Sequence, residues 1–331
     1  MILRILATAA VAFWPGIVLA ACAGNDLLPS LTQAEQSALD ARLAQTPYPT
    51  GNHWRATRDD LTIHLVGTIH IDDPRLQPHQ DALAPVVASA ETLLLEMTKA
   101  DQADLMQAMT DDPTLVIMQD RSLVDAMAPA DWDALADALQ ARDIPPMMGA
   151  RMRPWYLSVI LGLPPCLDLT TAADGGMDAR LEAVAIRAGV QTAALEDALS
   201  LFSAFDAVPF ETQLAMVQAA MVAPDAAEDM LETMMAAYAA ENHAAVWILS
   251  GILADRFAPQ QSDTLDAAFA AMETQLLDAR NAAWIPVIVD AANQARGGHI
   301  VAAFGAAHLG GEHGVLALLE AEGFTLARQP F

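Results

Sequence analysis

Two short words, Gly67-Thr68-Ile69-His70 and Gly305-Ala306-Ala307-His308, stand near opposite ends of the chain, each at the end of an apolar run, LTIHLV and HIVAAF. An apolar run that stops at a glycine and then presents an imidazole reads as a buried strand delivering a reactive group from its carboxyl end, where open α/β sheets hold their ligands. A glycine three residues before each histidine permits φ > 0 and close backbone approach, so that the imidazole points into a crevice. A third group comes from ETLLLEM (91–97), which reads as a buried parallel strand ending at Glu96. Two imidazoles and a carboxylate suffice to hold a divalent ion with one position open for water. Without metal, one histidine serves as general base, and Glu96 either ligates or takes the proton of an attacking water.

The elements that must position these residues follow from periodicity and punctuation. Strands are expected at 53–58, 61–67, 91–97, 190–196, 299–304 and 324–328, with Asp59-Asp60 turning the first hairpin. Helices are expected at 30–46, with Ser30 as N-cap, at 79–90 after a loop held open by Pro74 and Pro78, and at 314–323, closed by Gly323. From about 100 to 285 the pattern is almost wholly helical, broken at Pro and Gly pairs. The fold class is therefore α/β, with a central mixed sheet built from the N- and C-terminal βα segments, flanked by helices and interrupted by a long helical insertion. Residues 22–331 read as a single domain, long enough to bury a large core.

Residues 1–21 carry one charge, Arg4, then an apolar run broken at Pro15-Gly16 and closed by small residues, the pattern of an export signal. No later stretch is long enough for a transmembrane anchor, and the expected location is periplasmic or secreted. Cys22 and Cys166 are the only cysteines, and an even count in an oxidising compartment points to a disulfide between them. Leu19-Ala20-Ala21-Cys22 also fits a lipobox, in which Cys22 would carry a lipid anchor. With 16 basic and 42 acidic side chains, a net charge of -26, the chain is unsuited to nucleic acid or to anionic membrane surfaces. Asp72 and Asp73 follow His70 closely enough to support a metal, although helix capping explains them as well. His64 reads as packed, and His313 as an exposed loop residue. No nucleophile elbow, phosphate loop or dinucleotide fingerprint occurs.

The pieces GTIH, LLLEM, RPWYLSVIL, GMDARLEAVAIRAG, ALEDALSLFSAF, LLDARNAAWIPVI and FGAAHLGGEHGVLALLEAEGFTL, in this order, resemble the TraB/GumN family over about residues 53 to 328. That family is related to the Tiki proteases and, more remotely, to erythromycin esterases and haem-binding lipoproteins. The resemblance implies a helix-flanked sheet whose site is built from Gly67, His70, Gly305, His308 and Glu96, with Arg280 and Asn281 matching the family's Arg-Asn pair. It implies an extracytoplasmic hydrolase acting on a peptide or small-molecule substrate, with a divalent metal ion as cofactor. Arg280 would then stabilise an oxyanion and Asn281 would donate a hydrogen bond to substrate. The alternatives are a peptide- or haem-binding protein without turnover and a metal-independent, esterase-like hydrolase.

Overall fold

Alternation along the strands decides which side chains face which layer. In β5 (Ile300–Gly305), Ile300, Ala302 and Phe304 pack to one side, and Val301 and Ala303 to the other. In β2 (Leu61–Thr68), Ile63 and Leu65 share the first side, and Val66 the second. Both faces are thus apolar and both are covered, the usual condition of a parallel sheet. The Ala279–Gln294 helix closes the first face with Trp284, Ile288 and Ala292. The Leu76–Ala88 and Met177–Ala188 helices close the second with Leu83, Val87, Leu181 and Val184.

The computed structural model describes residues 22–167, 175–257, 262–295 and 297–331. The export signal expected at 1–21 lies outside them, as does Asp174 of the Asp174-Gly175-Gly176 break expected in the helical pattern. Six strands form one mixed sheet in the order β4-β3-β5-β2-β1-β6, the remaining four being β1 (His53–Arg58), β3 (Thr92–Leu95), β4 (Gln191–Ala194) and β6 (Thr325–Arg328). The four strands β4, β3, β5 and β2 run parallel, with Leu95 beside Ala303 and Ala194, and Thr68 beside Gly305. Their carboxyl ends therefore line up along one edge of the sheet. β1 and β6 complete the other side through antiparallel pairing.

The architecture is the expected α/β one, and the structure refines its parts. The edge strand β4 comes from within the long helical stretch, so the sheet draws on the middle of the chain as well as its ends. Helix Gln33–Gln45 is capped by Thr32, which forms a capping box with Glu35, because Ser30 is taken up in the 3-10 turn Leu28–Ser30. The helix expected at 79–90 begins at Leu76, since Pro78 falls in its first turn, where no intrahelical donor is needed. Away from the sheet, Leu135, Leu139, Leu157, Leu161, Leu214 and Val217 build a second, purely helical core. Among the described residues no helix is long and apolar enough to cross a membrane.

Cys22 and Cys166 form a disulfide, with Cα atoms 5.5 Å apart. The bridge uses the sulfur that a lipid anchor at Cys22 would need.

His243, 3% exposed, is fixed between the backbone carbonyl of Tyr48 and the side-chain oxygen of Asn52. Burial lowers its pKa from 6.5 to about 4, against the opposing pull of the Tyr48 carbonyl. The unfolded chain therefore binds this proton first, and stability falls as pH drops from 6.5 towards 4, by about 3 kcal/mol for this residue. Urea unfolding measured across this range should show a shallower pH slope in His243→Gln than in the native chain. An unchanged slope would contradict the assignment.

Candidate functional site

Each of the four parallel strands delivers one chemically active side chain just past its last residue. Glu96 follows β3, Glu196 lies two residues beyond β4, His70 two beyond β2, and His308 three beyond β5. The aligned strand ends bring them together. Glu96 sits at the centre: its Oε1 accepts the Gly305 N–H at 2.6 Å, and its Oε2 accepts from Arg280 at 2.6 Å. The Nε2 of His70 lies 3.7 Å from Oε1, and that of His308 lies 3.9 Å from the same atom.

Both imidazoles are oriented from behind. His70 Nδ1 donates to Asp178 at 2.7 Å, and the other oxygen of Asp178 accepts from Thr68 at 2.6 Å. His308 Nδ1 is 2.6 Å from the Asn281 side-chain oxygen. The Asn281 amide nitrogen donates to the His313 carbonyl at 2.9 Å, so the oxygen must face the ring and the ring must carry its proton on Nδ1. In both histidines Nε2 is thereby left facing Glu96, as an acceptor behind the ring orients a histidine at a metal site.

Arg280 bridges the carboxylates of Glu96 and Glu196, pairing with the latter through Nε at 2.9 Å and through a terminal nitrogen. It also donates to His308 Nε2 at 3.4 Å. Trp284, one turn further along the same helix, lies under both groups, 4.8 Å from the guanidinium carbon and 4.5 Å from the His308 ring. A wide π-helical turn, Glu273–Asp278, leads directly into Arg280 and Asn281. Such turns accompany functional sites because they re-aim the side chains that follow.

The charges alternate along Asp178, His70, Glu96, Arg280 and Glu196. Asp178 raises the His70 pKa well above the ordinary imidazole value, with burial opposing and Glu96 assisting. Burial opposes ionisation of Glu96, yet His308, His70 and Arg280 together with the Gly305 N–H outweigh it and hold the carboxyl at about 2. Burial lowers His308 to about 4, Glu96 pulling the other way and Arg280 and His70 adding to the fall. At neutral pH the cluster therefore pairs an imidazolium with a neutral imidazole across one carboxylate, a separation suited to acid and base roles.

The two word glycines serve close approach. Neither has positive φ. A Cβ on Gly67 would lie 2.5 Å from Leu309 and 3.0 Å from Ala306. A Cβ on Gly305 would stand 3.2 Å from Glu96 Oε1, 3.4 Å from His70 Nε2 and 3.6 Å from the His308 ring. The glycine thus keeps open the space that these three groups face. That space belongs to a cleft of about 530 Å³, with apolar walls that include Ile71, Leu163, Met234 and Trp247. In donor chemistry the set fits a divalent ion: two imidazole nitrogens, each backed by an acceptor, and one carboxylate. Among the described residues no group of three His, Cys, Asp or Glu stands at metal-ligand spacing, and Arg280 already donates to two of the three groups.

The structure thus brings together His70, Glu96, His308, Arg280 and Asn281, with Gly67 and Gly305 beside them. Asn281, 1% exposed, faces the His308 ring with its side-chain oxygen and donates one N–H to the His313 carbonyl, so that it orients His308. Asp72 pairs with Arg180, and Asp73 with Arg75 and its backbone N–H, away from the cluster. His313 is exposed, as expected. His64 packs between His53 and His299. Asp178 and Glu196 were not singled out from sequence as site residues. The available signals were the acid in the first helical turn after Gly175-Gly176 and the acid just past a short strand, and both have ordinary structural explanations.

A strand-end cluster of His, Glu and Arg on a parallel sheet defines an α/β protein with its site at the carboxyl edge. Residues 52–328 match the TraB/PrgY/gumN family, and the chain belongs to that family. A search of curated proteins finds no match.

Arg280 lies between two largely buried carboxylates, so Arg280→Met should destabilise the protein by about 3–5 kcal/mol in urea unfolding, with Arg280→Lys recovering only part. A loss below about 1 kcal/mol, the worth of an exposed ion pair, would contradict this arrangement.

Proposed function

We propose that this protein is an extracytoplasmic hydrolase that cleaves peptide bonds at the His70, Glu96 and His308 cluster. The observation that carries the reading is the space held open by Gly305, faced by Glu96 Oε1, His70 Nε2 and the His308 ring and continuous with the cleft. The Cys22–Cys166 disulfide supports an oxidising compartment, as does the apolar N-terminal run.

A water in that space meets two proton acceptors, Glu96 and the unprotonated Nε2 of His308, and one donor, the imidazolium of His70. As its oxygen adds to the scissile carbonyl carbon, its proton passes to an acceptor, with Glu96 best placed to take it. The carbonyl oxygen gains negative charge, which Arg280 is placed to stabilise from the same cluster. Collapse of the intermediate breaks the C–N bond, and His70 protonates the leaving amine. The proton on Glu96 then returns to His70 across their 3.7 Å contact. Asp178 and Asn281 hold the two rings, and Glu196 holds Arg280.

A divalent ion, when bound, would be held by His70, Glu96 and His308 and would supply Lewis-acid activation of the water. The pairing of Arg280 with Glu96 and His308 favours a second reading, hydrolysis by the same residues without metal.

Purified protein should cleave a pool of internally quenched peptides. His70→Ala and His308→Ala should each lower the rate by about 100-fold or more, with elemental analysis reporting metal content beside each assay. Loss of activity on chelation, restored by Mn²⁺ or Zn²⁺, supports the metal-dependent form, whereas activity that survives chelation supports the metal-independent one. Full activity in both variants would overturn the site assignment, and tight peptide retention without turnover would favour a binding protein.

A further inference from the structure

The cleft does not end at the polar cluster. A smaller pocket of about 110 Å³ adjoins it, and the two share Leu163, Met234 and Val246 in their linings. Beyond that common wall the pocket is closed by Met230, Leu231, Leu249 and Leu253. No charged side chain lines it among the described residues. Its two hydroxyl groups are already committed, Thr233 donating to the Asp229 carbonyl at 2.6 Å and Ser250 to the Val246 carbonyl at 2.9 Å. Whatever enters is recognised chiefly by apolar contact, since a charged group would lose its water without replacement.

The frame of this pocket is fastened. Leu163 stands in the loop after helix Pro154–Leu161, and Cys166 in the same loop is bridged to Cys22. The segment that follows Cys22 is laid along helix Pro224–Ala239, where Ala23 N–H donates to Glu228 at 2.8 Å, Asn25 N–H to Asp229 at 2.6 Å and Leu27 N–H to the Thr233 hydroxyl at 2.8 Å. One covalent strap therefore ties the loop that supplies Leu163 to the helix that supplies Met230, Leu231 and Met234. The methionines let the lining adapt to aliphatic groups of different shape, while the strap keeps it from collapsing.

We infer that this pocket is the specificity subsite of the cleft and takes an unbranched or branched aliphatic side chain, Leu or Met in size, from a peptide lying across Glu96. The inference rests on the hydrolase reading for its link to turnover, and on the pocket alone for its selectivity. Its volume is too small for a macrocycle or for several residues, and its lining offers nothing to an acidic or basic side chain.

The test uses the full chain and a set of internally quenched peptides with a Gly/Ser frame in which one residue is Leu, Met, Ala, Asp or Lys. Leu and Met peptides should exceed the Ala peptide in kcat/KM by about tenfold or more, and Asp and Lys peptides should fall below it. Met230→Glu should bring the Leu-to-Ala ratio close to one and raise Lys above Leu, a reversal that a misfolded variant cannot produce. Affinities of the same peptides, carrying a fluorophore for anisotropy, are measured in parallel. Cleavage without aliphatic preference, or ratios untouched by Met230→Glu, would overturn the subsite while leaving the hydrolase reading intact. The aliphatic order in affinity with no cleavage of any peptide would support the subsite and overturn the hydrolase reading, and equal affinities without cleavage would overturn both.

Discussion

A carboxylate buried at the carboxyl edge of a parallel sheet must be neutralised where it stands, and the region around Glu96 is arranged to do so. An unpaired charge in such a place costs several kcal/mol. Here the cost is met by a backbone N–H from β5, a guanidinium from the Ala279–Gln294 helix and the imidazolium of His70 from the end of β2. The side chains around it need partners of their own, so Asn281 is drawn from the same helix as Arg280, and Asp178 and Glu196 extend the network to the Met177–Ala188 helix and the end of β4. Strand order, the close approach at Gly67 and the π-helical turn before Arg280 all read as conditions for gathering charges around one carboxyl.

The same network sets the chemistry. Because Asp178 stands behind His70 while an uncharged amide stands behind His308, two identical side chains hold opposite protonation states about one carboxylate. The difference in what lies behind each ring makes one a donor and the other an acceptor. The cleft above supplies largely apolar walls, and the hydroxyls of Thr68 and Tyr238 that line it are bonded to Asp178 and the Gly67 carbonyl, which strengthens the interactions on its floor. The chain belongs to the TraB/PrgY/gumN family, and its Cys22–Cys166 disulfide straps the loop that supplies Leu163 to the cleft wall.

Much of the frame was legible because it depends on local patterns. LTIHLV and HIVAAF are short apolar runs punctuated by glycine, and each became a strand that ends beside its histidine. Glu96 was legible for the same reason. The roles of Asp178 and Glu196 were not, because an acid in a first helical turn and an acid past a polar edge strand look the same whether or not they reach a distant cation. The hold of Asn281 on His308 was not legible either, because its neighbours, His308 and the His313 carbonyl, come from a segment remote in sequence. The second pocket was invisible in the same way: its walls join residues near 163, 230 and 250, whose spacing carries no local signal.

The central claim is that the charge on Glu96 makes these side chains a working site, and Glu96→Gln tests it most directly, since the amide keeps the shape and the acceptor for Gly305 N–H but removes the charge. Peptide hydrolysis by the folded variant, its fold checked by circular dichroism and a single unfolding transition, should fall by about 100-fold or more. A folded Glu96→Gln protein that turns over peptide within about twofold of the native rate would contradict the account.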